Sequence, residues 1–199
     1  MTEALLRARG VARRYGSQVA LEPTDFDVRG AEALALIGPN GAGKSTLLSI
    51  LAGALEPSAG HVERVGGVRV GWVPQRPSFY DRLTARENLA LFARLEGVRR
   101  ADDLLARFDI PADRQAHTLS VGNRQRLNVA LALLGEPRVL LLDEPTASLD
   151  PEQRRRLWQV VTAVRDGGGA VVFVTQNLEE LDTHADRVVA MDEGRLVSP

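Results

Sequence analysis

The sequence contains no cysteine, so neither a disulfide nor a thiolate metal site is available to it. Histidine is scarce as well. His61, His117 and His184 are scattered, none at metal-ligand spacing, and each is expected to be an ordinary surface or core residue. Long hydrophobic runs are missing: stretches such as "VLLL" (Val139 to Leu142) fall far short of the ~20 residues a helix needs to span a bilayer. The opening "MTEALLRARG" lacks the basic stretch, apolar stretch and cleavage site of a secretory signal. There is no basic excess, with 25 Lys and Arg against 26 Asp and Glu and a net charge of −1. That balance argues against a broad nucleic-acid-binding surface, though not against a small local patch. Internal repeats, low-complexity stretches and long linkers are also absent. These absences lead to the expectation of a soluble, cytoplasmic protein that does not bind nucleic acid. Its 199 residues, 44% of them hydrophobic, can bury a substantial core as one domain, with or without a subdomain.

What is present is an alternation of strand-like and helix-like segments. "EALALIG" (Glu32 to Gly38), "VRVGWVP" (Val68 to Pro74), "RVLLLDEP" (Arg138 to Pro145), "GAVVFVT" (Gly169 to Thr175) and "RVVAMDEG" (Arg187 to Gly194) are short, nearly continuous apolar runs. Such runs suit parallel strands covered on both faces. Between them "KSTLLSILAGAL" and "PEQRRRLWQVVTAVRDG" have helical spacing, the second opening on an aspartate and a proline. Repeated strand–helix–strand order predicts an α/β fold with a parallel, right-handed core. Two regions break the alternation. Residues 4–30 hold short strand-like pieces around "YGSQVA" and "TDFDVRG", predicting a small antiparallel sheet. Residues 76–118 contain the amphipathic "TARENLALFARLEG" and "ADDLLARFD", predicting a helical insertion.

"GPNGAGKST" (Gly38, Pro39, Asn40, Gly41, Ala42, Gly43, Lys44, Ser45, Thr46) matches G-x-x-x-x-G-K-[ST] between an apolar strand and a helix. Its glycines let successive backbone N–H groups face inward, and the following helix adds its positive dipole end, so the loop cradles β- and γ-phosphates. Lys44 neutralises phosphate charge and the Ser45 hydroxyl ligates Mg²⁺ in this reading. "VLLLDEP" (Val139 to Pro145) then delivers Asp143 at the end of a strand, to reach the Mg²⁺ through water, with Glu144 placed to polarise an attacking water. Cradle, metal and water-orienting carboxylate are what phosphoryl transfer from a nucleoside triphosphate needs.

The order "GPNGAGKST", "VPQ", "LSVGNRQRL", "LLLDEP", "ASLD", "VTQNLEEL" resembles the ATP-binding subunit of an ATP-binding cassette (ABC) transporter over essentially the whole chain. The resemblance implies a P-loop NTPase fold with a RecA-like parallel sheet core, a small N-terminal antiparallel β subdomain and an inserted helical subdomain. It divides residues 1–199, as one ATPase domain, into a nucleotide-binding core (1–75 and 119–199) and a helical part (76–118). It implies ATP and Mg²⁺ as ligands. Tyr15 matches the aromatic that stacks on adenine, with edge packing as the alternative. Gln75 matches a glutamine that touches Mg²⁺ and senses the membrane partner. "FYDRLT" (Phe79 to Thr84) is similar to the surface that receives a transmembrane subunit, with Phe79 and Tyr80 as interface anchors or as lids on the core. "LSVGN" (Leu119 to Asn123) aligns with L-S-G-G-Q, which caps ATP bound to a second ATPase subunit through Ser120, Gly122 and Asn123. "SLD" (Ser148 to Asp150) matches the segment through which the two subunits communicate, and also suits a helix cap.

Three positions depart from the pattern. Val121 stands for a glycine, which would be strained if that backbone needed a glycine-only conformation. Asn123 stands for glutamine and is one methylene shorter. Gln176 stands where the family has a histidine on the γ-phosphate; its amide can donate a hydrogen bond but carries no proton or charge near neutral pH. ATP binding is therefore expected to persist while hydrolysis slows, by roughly tenfold to a thousandfold if one preorganised contact is lost. The compact length, with no visible C-terminal regulatory domain, looks most like the ATPases of small exporters, including the haem-exporter subunit and drug, lipid or polysaccharide exporters. The implied partners are a transmembrane permease subunit and a second ATPase subunit, identical or different, on the inner face of the cell membrane. Two other readings stand beside this one: a regulatory subunit that binds ATP with little turnover, and a soluble ABC ATPase acting on ribosomes or DNA.

Overall fold

The computed structural model describes residues 3–98 and 102–197. Five of the apolar runs form strands of one six-stranded sheet: β3 (Glu32–Ile37), β5 (Val70–Val73), β6 (Val139–Asp143), β7 (Ala170–Val174) and β8 (Arg187–Asp192). In the order β5-β6-β7-β3-β8 each pairs with its neighbour in parallel. The sixth strand, β9 (Arg195–Val197), was not foreseen; it folds back antiparallel on the edge of β8. A three-residue strand entered through a tight turn leaves too little pattern to read.

The apolar runs are continuous because the sheet is covered on both faces. In β7, Val171 and Phe173 enter one hydrophobic cluster while Ala170, Val172 and Val174 enter another, and β6 splits Leu140 and Leu142 from Val139 and Leu141 in the same way. One cluster is closed by the helices α2 (Ala85–Leu95), α3 (Asp102–Arg107), α4 (Val121–Ala132) and α5 (Pro151–Asp166). The other is closed by α1 (Lys44–Ala52) and by a three-stranded antiparallel sheet.

That antiparallel sheet has the order β2-β1-β4 and consists of β1 (Ala4–Tyr15), β2 (Gln18–Arg29) and β4 (Ala59–Arg64). Its strands are longer than the short pieces expected from the sequence, and "YGSQVA" turns out to hold the hairpin turn itself. Register shifts at Ala8/Val11, Val11/Arg13 and Arg13/Arg14 interrupt the period of two, which hid the length of β1. β4 escaped sequence reading because it is almost wholly exposed and has no apolar alternation.

Local chemistry sets the helix starts. Thr84 and Glu87 form a reciprocal capping box at α2, with Thr84 Oγ1 accepting from the Glu87 amide at 3.1 Å and Glu87 accepting from the Thr84 amide at 2.8 Å. Asp150 caps α5 by accepting from the Gln153 amide at 2.8 Å, with Pro151 following at the first helical position. Among the described residues of 76–118 lie α2, α3 and a 3₁₀ turn at Ala116–Thr118, and the helical layer continues past 118 into α4. Among the described residues no helix is long and apolar enough to cross a membrane.

Candidate functional site: a phosphate loop beside a clamped glutamate

The carboxyl ends of adjacent parallel strands bring the predicted residues together. β3 ends at Ile37 and Gly38 turns the chain into the loop with φ 142°. A Cβ on Gly38 would lie 2.0 Å from the backbone oxygen of Met191, so the close approach of β8 leaves no room for a side chain. Pro39, Asn40, Gly41 and Ser45 are exposed, Ala42 is buried, and Gly43 and Thr46 are half-buried. The loop is tied from behind: the Gly194 amide donates to Ala42 O at 3.0 Å, and the Glu22 amide donates to Gly194 O at 2.9 Å. The first turn of α1 leaves its amides without intrahelical acceptors, aimed into the loop.

Lys44 is 8% exposed, and its ammonium donates to Gly38 O at 2.7 Å and Pro39 O at 2.8 Å, spanning the loop. Burial draws its pKa below the usual lysine value, against the opposing pull of Asp143 and Glu144. Asp143 is 3% exposed; burial pushes its carboxyl up, the hydrogen bond to the Ser45 side chain pulls it down, and the nearby Glu144 charge pushes it up. Ser45 and Asp143 thus place two hard oxygen donors side by side. Among the described residues no group of three His, Cys, Asp or Glu could enclose a metal. Such a sparse oxygen set fits Mg²⁺, which keeps waters and substrate phosphates as ligands instead of an all-protein cage.

Glu144 has φ 49°, a left-handed conformation that is strained for glutamate, and its amide donates to Val174 O at 3.0 Å. The turn swings its carboxylate into the space between two flanking strand ends. There Gln176 Nε2 donates to Glu144 Oε1 at 2.9 Å and Gln75 Nε2 donates to Oε2 at 3.3 Å. The reason is topological. Gln75, Glu144 and Gln176 follow β5, β6 and β7, which are consecutive in the sheet, so neighbouring chains less than 5 Å apart present them in a row. Sequence reading named all three residues but missed the contact between them.

The remaining predicted residues sit apart. Tyr15, at the hairpin end, is half exposed with the Arg13 guanidinium over its ring at 4.6 Å. Ser120 caps α4 by accepting from the Asn123 amide at 3.2 Å, and the Asn123 side chain is held by Arg126. Gly122 faces Gln153 of α5, whose Oε1 lies 2.6 Å from where a Cβ would be. Val121 is the first residue of α4 and does not have a positive φ, so the strain anticipated for a side chain there does not arise. Among the described residues no hydrogen bond or ion pair joins Ser120, Gly122 or Asn123 to the phosphate loop. Phe79 is partly buried against the helical-side core with the Arg124 guanidinium over it at 5.0 Å, while Tyr80 is exposed. Of the histidines, His61 and His117 are on the surface, and His184 stacks on Trp158 at 4.1 Å.

A family model described as ABC transporter matches residues 21–147, a span running from β2 through the phosphate loop to just past Glu144. The chain belongs to the ABC transporter family. It is 40% identical to the daunorubicin resistance ATP-binding protein DrrA3 of Streptomyces coeruleorubidus, covering 100% of this chain and 68% of that protein. It is 35% identical to the Nod factor export ATP-binding protein I of Ralstonia nicotianae, covering 98% and 66%. With the doxorubicin resistance ATP-binding protein DrrA of Mycobacterium tuberculosis it shares 37% identity, covering 95% and 63%. The chain therefore spans about two thirds of the length of these relatives. Among solved structures, the ATP-binding subunit of an ABC transporter superposes with a TM-score of 0.87 at 28% identity, covering 98% of this chain and 88% of that one. A nucleotide-free ATP-binding cassette superposes at 0.83 with 21% identity, a likeness of fold. ABC ATP-binding proteins are ATPases coupled to transport, and the P-loop α/β architecture with its antiparallel sheet is that of this ABC cassette fold.

Proposed function

We propose that this chain binds Mg²⁺-ATP and hydrolyses it to drive export through a separate transmembrane subunit. The observation that carries the reading is the Glu144 carboxylate, held between the Gln75 and Gln176 amides at the edge of the phosphate loop. Glu144 accepts the proton of, or orients, the attacking water. The loop Gly38–Thr46 and Lys44 bind the phosphates, releasing the Lys44 ammonium from its two carbonyl contacts. Ser45, Asp143 and Gln75 hold Mg²⁺, which when bound neutralises charge on the phosphate oxygens. Tyr15 lies against the adenine.

Ser120, Gly122 and Asn123 serve the loop of a second subunit, a role supported by their lack, among the described residues, of any hydrogen bond or ion pair to their own loop. The working unit is accordingly a dimer of ATPase subunits. In this reading residues 1–75 and 119–199 form the nucleotide-binding core and 76–118 the helical part, with Tyr80 on the face offered to the membrane partner. The chain then sits at the inner face of the cell membrane. The relatives named for drug resistance and Nod factor export favour a drug-like or Nod-factor-like cargo over the haem-exporter kind. Gln176 supplies a hydrogen bond but no charge, so turnover is slower than with a histidine.

Mg²⁺-ATP turnover of the purified chain tests this. Glu144→Gln is expected to lower kcat by about 10²–10⁴, the usual worth of a positioned acid–base group, while leaving nucleotide binding in place. Gln176→His is expected to raise kcat. A wild type that binds ATP with negligible turnover and is revived by Gln176→His would instead identify a regulatory subunit working with an active partner.

A further inference from the structure

Behind Gln176 lies a buried polar chain that the motifs do not mention. Thr175 directly follows β7 and is 7% exposed; its hydroxyl donates to Glu180 Oε2 at 2.6 Å and accepts from the Asn177 amide at 3.1 Å. Both bonding directions of that hydroxyl are used, and they bracket Gln176 between two fixed neighbours. Asn177 is fixed in turn, its side chain accepting from the Glu179 amide at 3.0 Å to cap α6 (Leu178–His184). Glu180 is 2% exposed, which is rare for a carboxylate without a reason. Its other oxygen faces Arg154 Nε at 3.5 Å, an ion pair without an aligned hydrogen bond.

Arg154 belongs to the second turn of α5, where its amide donates to Asp150 O at 2.9 Å. It also lines one cavity together with Glu144, Thr146, Thr175 and Gln176. The path therefore closes on itself: Glu144 begins the turn that leads to α5, α5 carries Arg154, Arg154 faces Glu180, Glu180 holds Thr175, and Thr175 adjoins the Gln176 that bonds Glu144. A threonine following an apolar strand could bond to backbone or water. A buried glutamate with a counter-charge is a costly alternative unless the orientation it imposes matters.

We propose that Thr175 and Glu180, backed by Arg154, are positioning residues that hold the Gln176 amide on the Glu144 carboxylate. This rests on the reading of Glu144 and Gln176 as the hydrolytic pair. Without the Thr175 hydroxyl, the segment at residues 175–177 loses its brace and Gln176 samples orientations that leave Glu144 Oε1 without its donor, with only the longer Gln75 contact on Oε2 remaining. Phosphate binding, which lies in the loop, is untouched.

The test is steady-state ATPase kinetics on the full chain, with the affinity for a fluorescent ATP analogue and the thermal midpoint measured for each variant. Thr175→Val is expected to lower kcat about tenfold, the low end for a misplaced preorganised donor, with KM and analogue affinity within about twofold. Glu180→Ala is expected to do the same, and Thr175→Ser, which keeps the hydroxyl, to restore kcat to within about twofold of wild type. In a Gln176→Ala background, already slowed, Thr175→Val is expected to add less than about twofold, because the two changes remove one contact. If Gln176→Ala slows turnover while Thr175→Val does not, or if the two effects multiply, the positioning role is overturned and the hydrolytic reading survives. If Glu144→Gln and Gln176→Ala both leave turnover unchanged, the hydrolytic reading itself fails and the inference falls with it.

Discussion

Two glycines of the phosphate loop that look equivalent in the motif are expected to respond very differently to alanine. Gly41 has φ 85° and open space where a Cβ would go. Gly41→Ala therefore meets only the left-handed torsional penalty of about 1–2 kcal/mol, reduced by about 0.5–1 kcal/mol because alanine has less unfolded freedom to lose. The net loss is below about 1.5 kcal/mol. Gly38→Ala meets the same torsional penalty at φ 142°, and in addition a Cβ 2.0 Å from Met191 O, where ordinary contact begins at 3.4 Å. Met191 is in β8, which pairs with β3 as far as Ile37↔Ala190, so relief requires moving the strand edge and not merely rotating a side chain. Overpacking of that kind costs about 1–3 kcal/mol, which with the same entropic offset brings the total to roughly 1–4.5 kcal/mol. For a chain of this size each kcal/mol corresponds to roughly 2–4 °C in Tm. Urea unfolding at 25 °C, followed by circular dichroism, reads the difference directly. If Gly41→Ala destabilised as much as Gly38→Ala, the steric argument would be wrong and both glycines would be needed for torsion alone.

Two further outcomes concern the interior. Phe173 is fully buried in β7 and meets Trp158 edge-on at 4.9 Å, so Phe173→Ala is expected to cost about 3–5 kcal/mol in urea unfolding. A loss below about 1.5 kcal/mol would mean that the surrounding helices close the void. His184, stacked on Trp158, has a pKa lowered chiefly by burial, with Glu180 and Glu179 raising it and Arg165 lowering it. Its folded-state value lies below the unfolded 6.5, so its contribution to stability is complete above that pH and is lost as pH falls through the folded value. His184→Phe is expected to keep the stack and flatten the fall in urea midpoint between about pH 7 and 5.5; an unchanged slope would assign that fall to other groups.

The legible parts of this protein were those written in contiguous residues. Apolar runs announced five parallel strands because a strand covered on both faces needs every side chain apolar. The phosphate loop, Asp143 and Glu144 were readable because a loop, a strand end and a helix start supply their whole context locally. The features that escaped depend on distance in the chain. β4 is exposed and carries no alternation, and the bulges of β1 broke its period. Val121 looked strained only until its place in a helix was known. The contact of Gln176 with Glu144 spans 32 positions and that of Gln75 spans 69, and neither motif contains the other. The Thr175–Glu180–Arg154 chain had no sequence signal, since a glutamate in "NLEEL" reads as solvated until α5 is packed over it. Sequence alone determined which chemical groups exist and which strand ends carry them. Tertiary structure decided which of them touch, because strand order in a parallel sheet is set by crossovers between distant segments, and only that order puts two glutamines on either side of one carboxylate.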